Sequence, residues 1–149
     1  MIQSISGHVR ALRLAVEERW HAPIKATHAL FGWMVMHASW LQNHYQILKH
    51  GSTAFQAVQQ RAYDGCIFQF AEAVMVRRQY AAEGVPKLEE RWWPGLWLGK
   101  TVEADDHLVG TAYGIVRSRS VRPLGASEQK QELFDKMTWT PWQPTLQRT

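Results

Sequence analysis

The chain has little of what marks a secreted or membrane-spanning protein. Its 149 residues include one cysteine, Cys66, which excludes an internal disulfide framework and favours a reducing compartment. No uncharged apolar run reaches the roughly 18 residues that a spanning helix needs. The most apolar stretch, residues 30–41, contains His37 and Ser39. The first residues lack the charged start and apolar run of a signal peptide. We therefore expect no membrane partner.

Positive charge is in excess only in the first part of the sequence, although the whole chain carries +4. Residues 1–63 hold six Lys or Arg and two Glu, residues 64–124 hold eight basic and eight acidic residues, and residues 125–149 hold three of each. A basic segment suits a polyanionic partner, because phosphate contacts release bound counterions. A charge of this size is also ordinary for a soluble protein, so charge alone does not assign nucleic-acid binding.

Hydrophobic residues make up 46% of the chain, enough for a packed core, and their spacing predicts three helices. The first has one apolar stripe and ends before Pro23. The second is capped by Thr27, runs to about residue 45 and is apolar almost all round, so we expect it to be buried centrally. The third follows Thr53, with Gln56 completing a capping box, and runs to about residue 62. The stripe of the first helix consists of Ile2, Ile5, Val9, Leu12, Val16 and Trp20.

Short strands follow the helices. Alternation predicts a strand within residues 67–79, and an aromatic strand is predicted at residues 91–98, where Pro94 requires an edge position or a bulge. Residues 108–113 and 115–121 predict a hairpin about Gly114. This spacing is typical of a small β-barrel, so the fold class is α+β. We place the helices in residues 1–63, the barrel in residues 64–124 and a polar, poorly ordered tail in residues 125–149.

The stretch W-W-P-G-L-W-L-G-K-T at residues 92–101 ends like a phosphate-binding loop. That motif, G-x-x-x-x-G-K-[ST], lets consecutive backbone N–H groups wrap the phosphates before a helix. Here the spacing from Gly95 to Gly99 is one residue short, and three acidic residues within residues 102–106 would repel a nucleotide. We therefore interpret Lys100 as the end of a strand that leaves the barrel through a glycine turn.

The histidines and carboxylates do not predict a catalytic centre. His37 and His44 are seven residues apart and share a helix face, but no third and fourth ligand accompany them, so we expect a buried or interfacial pair without a metal. Glu17 and Glu18 are adjacent and point to different helix faces. The acidic pair at residues 105–106 lies in a turn, where Asp is common.

Basic and aromatic residues in the predicted barrel suit nucleic acid better. Arg117 and Arg119 point to one face of a strand, and Arg77 and Arg78 join them if their strand pairs nearby. Aromatic surface comes from three tryptophans in the same unit, and such combinations grip nucleic-acid backbones and bases. The alternative is that the tryptophans are core residues and the arginines a solvated face. The three tryptophans are Trp92, Trp93 and Trp97.

In order along the chain, these features resemble the C-terminal part of a Copia-type retrotransposon integrase, within the Pol polyprotein. I-Q-S-I at residues 2–5 and R-A-L at residues 10–12 resemble the long core helix after its E-R-x-x-Q-S-I start. Residues 28–45, which contain W-L-Q-N, resemble the next helix, where the family has an apolar run ending in L-x-N-R. S-T-A-F-Q at residues 52–56 resembles T-P-x-E, with Ala54 in place of proline.

The resemblance continues into the predicted strands. F-A-E-A-V at residues 70–74 resembles F-G-x-x-V, the first strand of an SH3-like barrel, with Ala71 in place of glycine. Residues 93–100 resemble the strand k-x-x-F-L-G-Y, with Lys100 in place of tyrosine, and residues 108–121 resemble the closing hairpin that ends S-R-D-V. The resemblance implies the end of a ribonuclease-H-like core followed by an SH3-like barrel.

What the resemblance implies about activity is largely negative. The family uses two Asp and one Glu to hold two divalent metals, and the Glu precedes the residue that matches Met1. We therefore expect no catalytic residue, no metal site and no cofactor in this chain, with Mg²⁺ needed only by the intact, nuclear parent integrase. The chain would be an intracellular integrase fragment that binds DNA or RNA weakly and without sequence preference. The expected phosphate contacts are Arg10, Arg13, Arg77, Arg78, Arg117 and Arg119.

Two alternatives stay open. The first helix would have packed on a sheet that is absent from this sequence, so the first part of its apolar stripe would be exposed and would support protein interaction or self-association. That part consists of Ile2, Ile5, Val9 and Leu12. The chain could instead be an unproductive product of a degraded element.

Overall fold

The computed structural model describes residues 2–47, 49, 51–61, 63–77, 92–101, 104–112, 114–125 and 131–142, without the side chains of residues 2–4. The helices are α1 (Ile2–Trp20), α2 (Ala29–Tyr45), α3 (Ala54–Gln59) and α4 (Gln131–Asp135). The strands are β1 (Ala73–Arg77), β2 (Trp92–Lys100), β3 (His107–Thr111), β4 (Gly114–Ser118) and β5 (Val121–Pro123). Helices and an antiparallel sheet together confirm the α+β class.

Helix α1 forms where the apolar stripe predicts it, and the stripe faces inward. Val16 and Trp20 are buried, and Val9 and Leu12 pack against the same cluster. The Trp20 indole N–H donates to the Ala71 carbonyl at 2.9 Å, which ties the end of α1 to the segment before β1. The expectation of an exposed stripe is therefore wrong for Val9 and Leu12, because both are partly buried against this cluster.

Helix α2 differs from its prediction at both its cap and its outer face. The cap is His28 and not Thr27: the His28 side chain accepts from the Leu30 N–H, as an N-cap must. Val35 and Met36 are exposed, so the helix is buried along one side only. Its buried residues are Leu30, Trp33, Met34, His37, Ala38, Trp40 and His44.

Helix α3 follows the predicted cap. The Thr53 hydroxyl accepts from the Gln56 N–H at 3.0 Å. Gln60 closes the helix in the left-handed region, with φ of 59°. Because none of its residues is buried, α3 is held by its ends and by ring contacts at Phe55.

The five strands form one antiparallel sheet in the order β4-β3-β2-β1-β5. Strand β2 is therefore central, which contradicts a simple edge position for Pro94. Pro94 pairs with Met75 of β1, but the ladder to β3 begins only at Leu96, so this part of β2 has a neighbour on one side only. A register shift between Trp97 and Gly99 adds a bulge further along. The missing N–H of proline is thus accommodated where β3 is absent.

The predicted hairpin about Gly114 is confirmed. Strands β3 and β4 pair from His107 with Ser118 to Thr111 with Gly114. The Thr111 hydroxyl donates to the Gly114 carbonyl at 2.7 Å, and Gly114 has a φ of 131°, which suits glycine.

The predicted strand at residues 67–79 is shorter than the alternation suggests, and residues 78–79 lie outside the described residues. Ala71 has a φ of 64°, and its N–H donates to the Trp97 carbonyl at 2.7 Å. The Trp97 N–H donates in turn to the Glu72 carbonyl at 2.9 Å. This turn delays regular pairing until Ala73.

Two apolar clusters lie on the two faces of the sheet. The smaller consists of Val74, Val76, Trp97 and Val109, with Phe68 and Val116 among its neighbours. The larger joins α1 and α2 to the opposite face of the sheet through Ala73, Leu96 and Leu98. The larger core thus extends across the boundary expected near residue 63, with α1 and α2 before it and Ala73, Leu96 and Leu98 after it.

Residues 131–142 do not form the poorly ordered tail expected for residues 125–149. Phe134, Met137 and Trp139 are buried in the larger cluster. The Trp33 indole N–H donates to the Trp139 carbonyl at 2.8 Å, and the Trp139 indole N–H donates to the Thr111 carbonyl at 2.7 Å. This segment therefore connects α2 to the end of β3. Residues 126–130 and 143–149 lie outside the described residues.

We expect Trp139→Ala to lower the free energy of unfolding by about 3 to 5 kcal/mol, because it removes a buried aromatic ring together with its hydrogen bond to the Thr111 carbonyl. Trp142→Ala is the matched control: Trp142 is 76% exposed and should cost at most about 0.5 kcal/mol. Urea denaturation followed by circular dichroism measures both. Equal, small effects would show that residues 131–142 contribute no core.

Candidate nucleic-acid interface

The G-L-W-L-G-K-T stretch is a strand end, as its short glycine spacing predicts. Gly95 lies so close to β3 that an added Cβ would meet the Gly110 carbonyl oxygen at 2.6 Å. The Lys100 side chain is only 4% exposed, and its ammonium group contacts Asp105 at 2.9 Å. The Thr101 N–H donates to the Asp106 carbonyl, which closes the turn into β3. These groups satisfy one another within the fold and form no phosphate-binding loop.

Asp105 is the centre of a polar cluster beside this turn. It accepts hydrogen bonds from the Tyr63 hydroxyl at 2.7 Å and from Lys100. Burial alone would raise the pKa of Asp105, but hydrogen bonds from Tyr63 and Lys100 and the charge of Lys100 outweigh it, so the pKa is lowered. Burial, followed by the hydrogen bond to the Asp105 carboxylate, raises the pKa of Tyr63. The cluster stabilises a neutral tyrosine and an ionised carboxylate, and it is structural in character.

His37 and His44 are both buried, as expected, and Trp40 lies between them. The Trp40 ring stacks on His44 with centroids 4.0 Å apart and on His37 at 5.9 Å. Burial lowers the pKa of His37 to about 4. Its Nδ1 has no hydrogen-bond partner among the described residues.

No metal centre is visible in the described part of the chain, where no group of three or more His, Cys, Asp or Glu side chains is placed to hold an ion. The expectations of no metal, no cofactor and no catalysis stay predictions.

Arg117 and Arg119 lie together at the end of β4 and share one carboxylate. Arg119 Nε lies 3.3 Å from Asp106 Oδ1, and the Arg117 guanidinium lies 3.8 Å from Asp106 Oδ2. Both arginine side chains are more than half exposed. Two guanidinium groups against one carboxylate leave an excess of one positive charge at the surface. The Asp106 pairing also holds both side chains at the same place.

Arg77 lies at the end of β1, next to the same region. Its N–H donates to the Ser120 carbonyl at 3.0 Å, one residue beyond Arg119. Across the sheet, Arg77 pairs with Trp92 of β2, so the two side chains stand on one face. The structure therefore brings Arg77, Arg117 and Arg119 to the region where β4 passes into β5, while Arg78 lies outside the described residues.

Arg122 is a member of this surface that the sequence analysis missed. Its guanidinium carbon lies 4.2 Å from the centroid of the Trp92 ring, a cation–π contact. Arg122 pairs with Met75 on β1, which places it on the same face as Arg77. The register of the β1–β5 pair puts Arg122 on the same face as Arg77, and the sequence alone does not give that register. We call Arg77, Trp92, Arg117, Arg119 and Arg122 the basic–aromatic surface.

The three tryptophans of β2 take different roles. Trp97 is fully buried in the smaller cluster, and its indole N–H donates to His107 Nδ1 at 3.0 Å. Trp93 packs against the same cluster, and Trp92 lies on the opposite face beside the arginines. Core packing therefore accounts for Trp97 and in part for Trp93, and Trp92 is the partly exposed tryptophan that lies beside the arginines.

Arg10 and Arg13 belong to a different part of the molecule. Both lie on α1 and line a groove of about 460 Å³ whose floor is apolar, with Val9 and Phe31 among its residues. Arg13 Nε also contacts Glu17 at 2.8 Å along the helix. The predicted contacts thus separate into a helix pair and a sheet group.

Comparison with known proteins gives no relative. No protein-family model, curated protein or solved structure matches the chain. The resemblance to Copia-type integrases therefore stays a hypothesis from motifs. Among the residues that the structure describes, no helix has the length and apolar character to cross a membrane.

The buried imidazole of His37 should make the fold sensitive to acid. A folded-state pKa of about 4 against 6.5 in the unfolded chain means that unfolding takes up a proton between these values. Stability is then fully present above about pH 6.5 and is lost as the pH falls towards 4. We expect His37→Phe to reduce the loss between about pH 7.5 and about pH 5 by about 2 kcal/mol.

Urea denaturation of both proteins at the two pH values measures this difference. The same substitution at His8, which is not buried, serves as the control. Parallel losses in wild type and His37→Phe would mean that His37 does not titrate with unfolding.

Proposed function

We propose that this chain binds nucleic acid weakly and without sequence preference through the basic–aromatic surface, as the non-catalytic C-terminal part of a Copia-type integrase. The geometry that supports the proposal best is the contact of Arg122 with Trp92, 4.2 Å from guanidinium carbon to ring centroid, beside Arg77. Unpaired bases stack on exposed aromatic rings, and arginine side chains contribute cation–π contacts in such sites.

The arginine pair at Asp106 supports the same proposal by its charge. Arg117 and Arg119 are exposed and pre-positioned, and Asp106 neutralises only one of the two charges. Each guanidinium group can donate two parallel hydrogen bonds to the oxygens of a phosphate. Contacts of this kind carry no sequence information, so we expect affinity to depend on salt more than on base composition.

We further infer that the five strands are an SH3-like barrel and that α1 to α3 are the end of a ribonuclease-H-like core. The support is the order of elements: three helices precede a five-stranded antiparallel sheet in which the last strand, β5, pairs with the first, β1. The short link from β4 to β5 and the separate apolar cluster on one face of the sheet are consistent with a barrel. The absence of catalysis remains an expectation from the resemblance.

Replacing Arg117 and Arg119 together by Ala should weaken binding to all duplex sequences alike. Each lost phosphate contact should flatten the plot of log affinity against log salt by about 0.9. The matched control is Arg61→Ala with Lys136→Ala, which removes two exposed cations that are also ion-paired. Titration of labelled duplex at several salt concentrations measures both slopes. No wild-type binding at low salt, or equal losses in both variants, would contradict the proposal.

Trp92→Leu should weaken binding to single strands more than to duplex, because only unpaired bases can stack on the ring. The expected loss for a single strand is about 1 to 3 kcal/mol. The comparison is made with one oligonucleotide, alone and annealed to its complement, after circular dichroism has shown that the variant folds. A loss of the same size for both forms would assign Trp92 a structural role.

A further inference from the structure

The outer face of α1 carries an exposed row that is unrelated to its buried stripe. Arg10, Leu14 and Glu18 follow one another at steps of four residues and therefore lie in one line along the helix. All three are exposed, and Leu14, at 63%, is among the more exposed large apolar side chains of the described residues. Within the described part of the chain, neither Arg10 nor Glu18 has an ion-pair partner.

The row is self-complementary when two helices run in opposite directions. Read from the N-terminus it is positive, apolar and negative, and read in reverse it is negative, apolar and positive. A two-fold axis through Leu14 would place Leu14 on Leu14 of the second copy and each Arg10 opposite a Glu18. Parallel pairing, by contrast, would set like charges against each other.

Small side chains beside the row permit close approach. Gly7, Ala11 and Ala15 are exposed on the same side of α1. A Cβ added at Gly7 would meet nothing within 4 Å, so the surface is open there. Small residues at a crossing point allow two helix axes to come within about 8 to 10 Å.

We propose that α1 is the contact surface of a homodimer in which the helices of two copies pair antiparallel about Leu14. The occupant is a second copy because the charge order of the row complements itself. This differs from self-association through Ile2, Ile5, Val9 and Leu12, since the side chains of Val9 and Leu12 are packed inward. The dimer does not depend on the proposed nucleic-acid function. Its small apolar centre and exposed ion pairs make it a weak, concentration-dependent assembly.

The test is sedimentation equilibrium of the full chain over its soluble concentration range, after nuclease treatment so that nucleic acid cannot bridge copies. Wild type should show a monomer–dimer equilibrium, and Leu14→Glu should weaken it by about tenfold or more. The matched control is Val58→Glu on α3, which changes an apolar side chain of 76% exposure away from α1 and should leave the equilibrium unchanged.

Charge reversal tests the antiparallel register. Arg10→Glu gives a row with two negative ends, and Glu18→Arg gives a row with two positive ends. Each variant alone should dimerise about tenfold more weakly or worse, and an equimolar mixture should recover the wild-type constant to within about threefold, because every end again faces its opposite. When both variants in the mixture also carry Leu14→Glu, mixing should no longer restore the wild-type dimerisation constant.

A wild-type chain that stays monomeric at all concentrations would overturn the proposal and leave this face to another kind of partner. Dimerisation that is indifferent to Leu14→Glu would also overturn it, and so would a mixture of charge variants that does not recover. All the substituted side chains are exposed, so we expect every variant to fold. Circular dichroism of each variant checks that a change in association is not caused by unfolding.

Discussion

The buried Trp97 of β2 contacts the turn before β1, strand β3 and helix α2. Its backbone N–H and carbonyl both bond to the turn before β1, through Glu72 and Ala71. Its indole donates to His107 on β3, and the edge of its ring contacts His37 of α2 with centroids 5.1 Å apart. Leu96 and Leu98, on either side of it, face the helices and enter the larger cluster. The bulge that follows Trp97 therefore lies where the sheet, the first turn and α2 are held together.

Much of this arrangement follows from local pattern, and the parts that do not have identifiable reasons. The stripe of α1, the Thr53 cap and the hairpin at Gly114 depend on neighbouring residues, so the sequence predicts them. Strand β1 begins late because the N–H of Ala71 donates to the Trp97 carbonyl, which lies 26 residues further along the chain. Trp139 lies among polar residues, and its burial depends on Trp33 and Thr111, which no local pattern connects to it.

The candidate surface was likewise predictable from the sequence only in part. Alternation places Arg117 and Arg119 together, and the structure gives them a shared carboxylate. Arg122 escaped notice because its partner Trp92 is distant in sequence and meets it only through the pairing of β1 with both β2 and β5. The predicted arginines do not form one group among the described residues, since Arg10 and Arg13 are on a helix that lines an apolar groove. Charge counted along a chain does not show which faces carry it.

Arg10 was predicted from the sequence as a phosphate contact, and it also lies in the row on α1 that we propose as the dimer contact. Arg10 can face Glu18 of a second copy or a phosphate, but the same guanidinium cannot be fully used by both. If nucleic acid contacts Arg10, binding and dimerisation oppose each other, and by linkage each weakens the other by the same factor. If nucleic acid uses only the sheet surface, the two equilibria are independent on a strand that reaches one surface. On a longer strand a dimer gains avidity because it presents two such surfaces. The sign of the coupling between binding to a long strand and self-association therefore shows whether α1 contacts nucleic acid or contacts only a second copy of the chain.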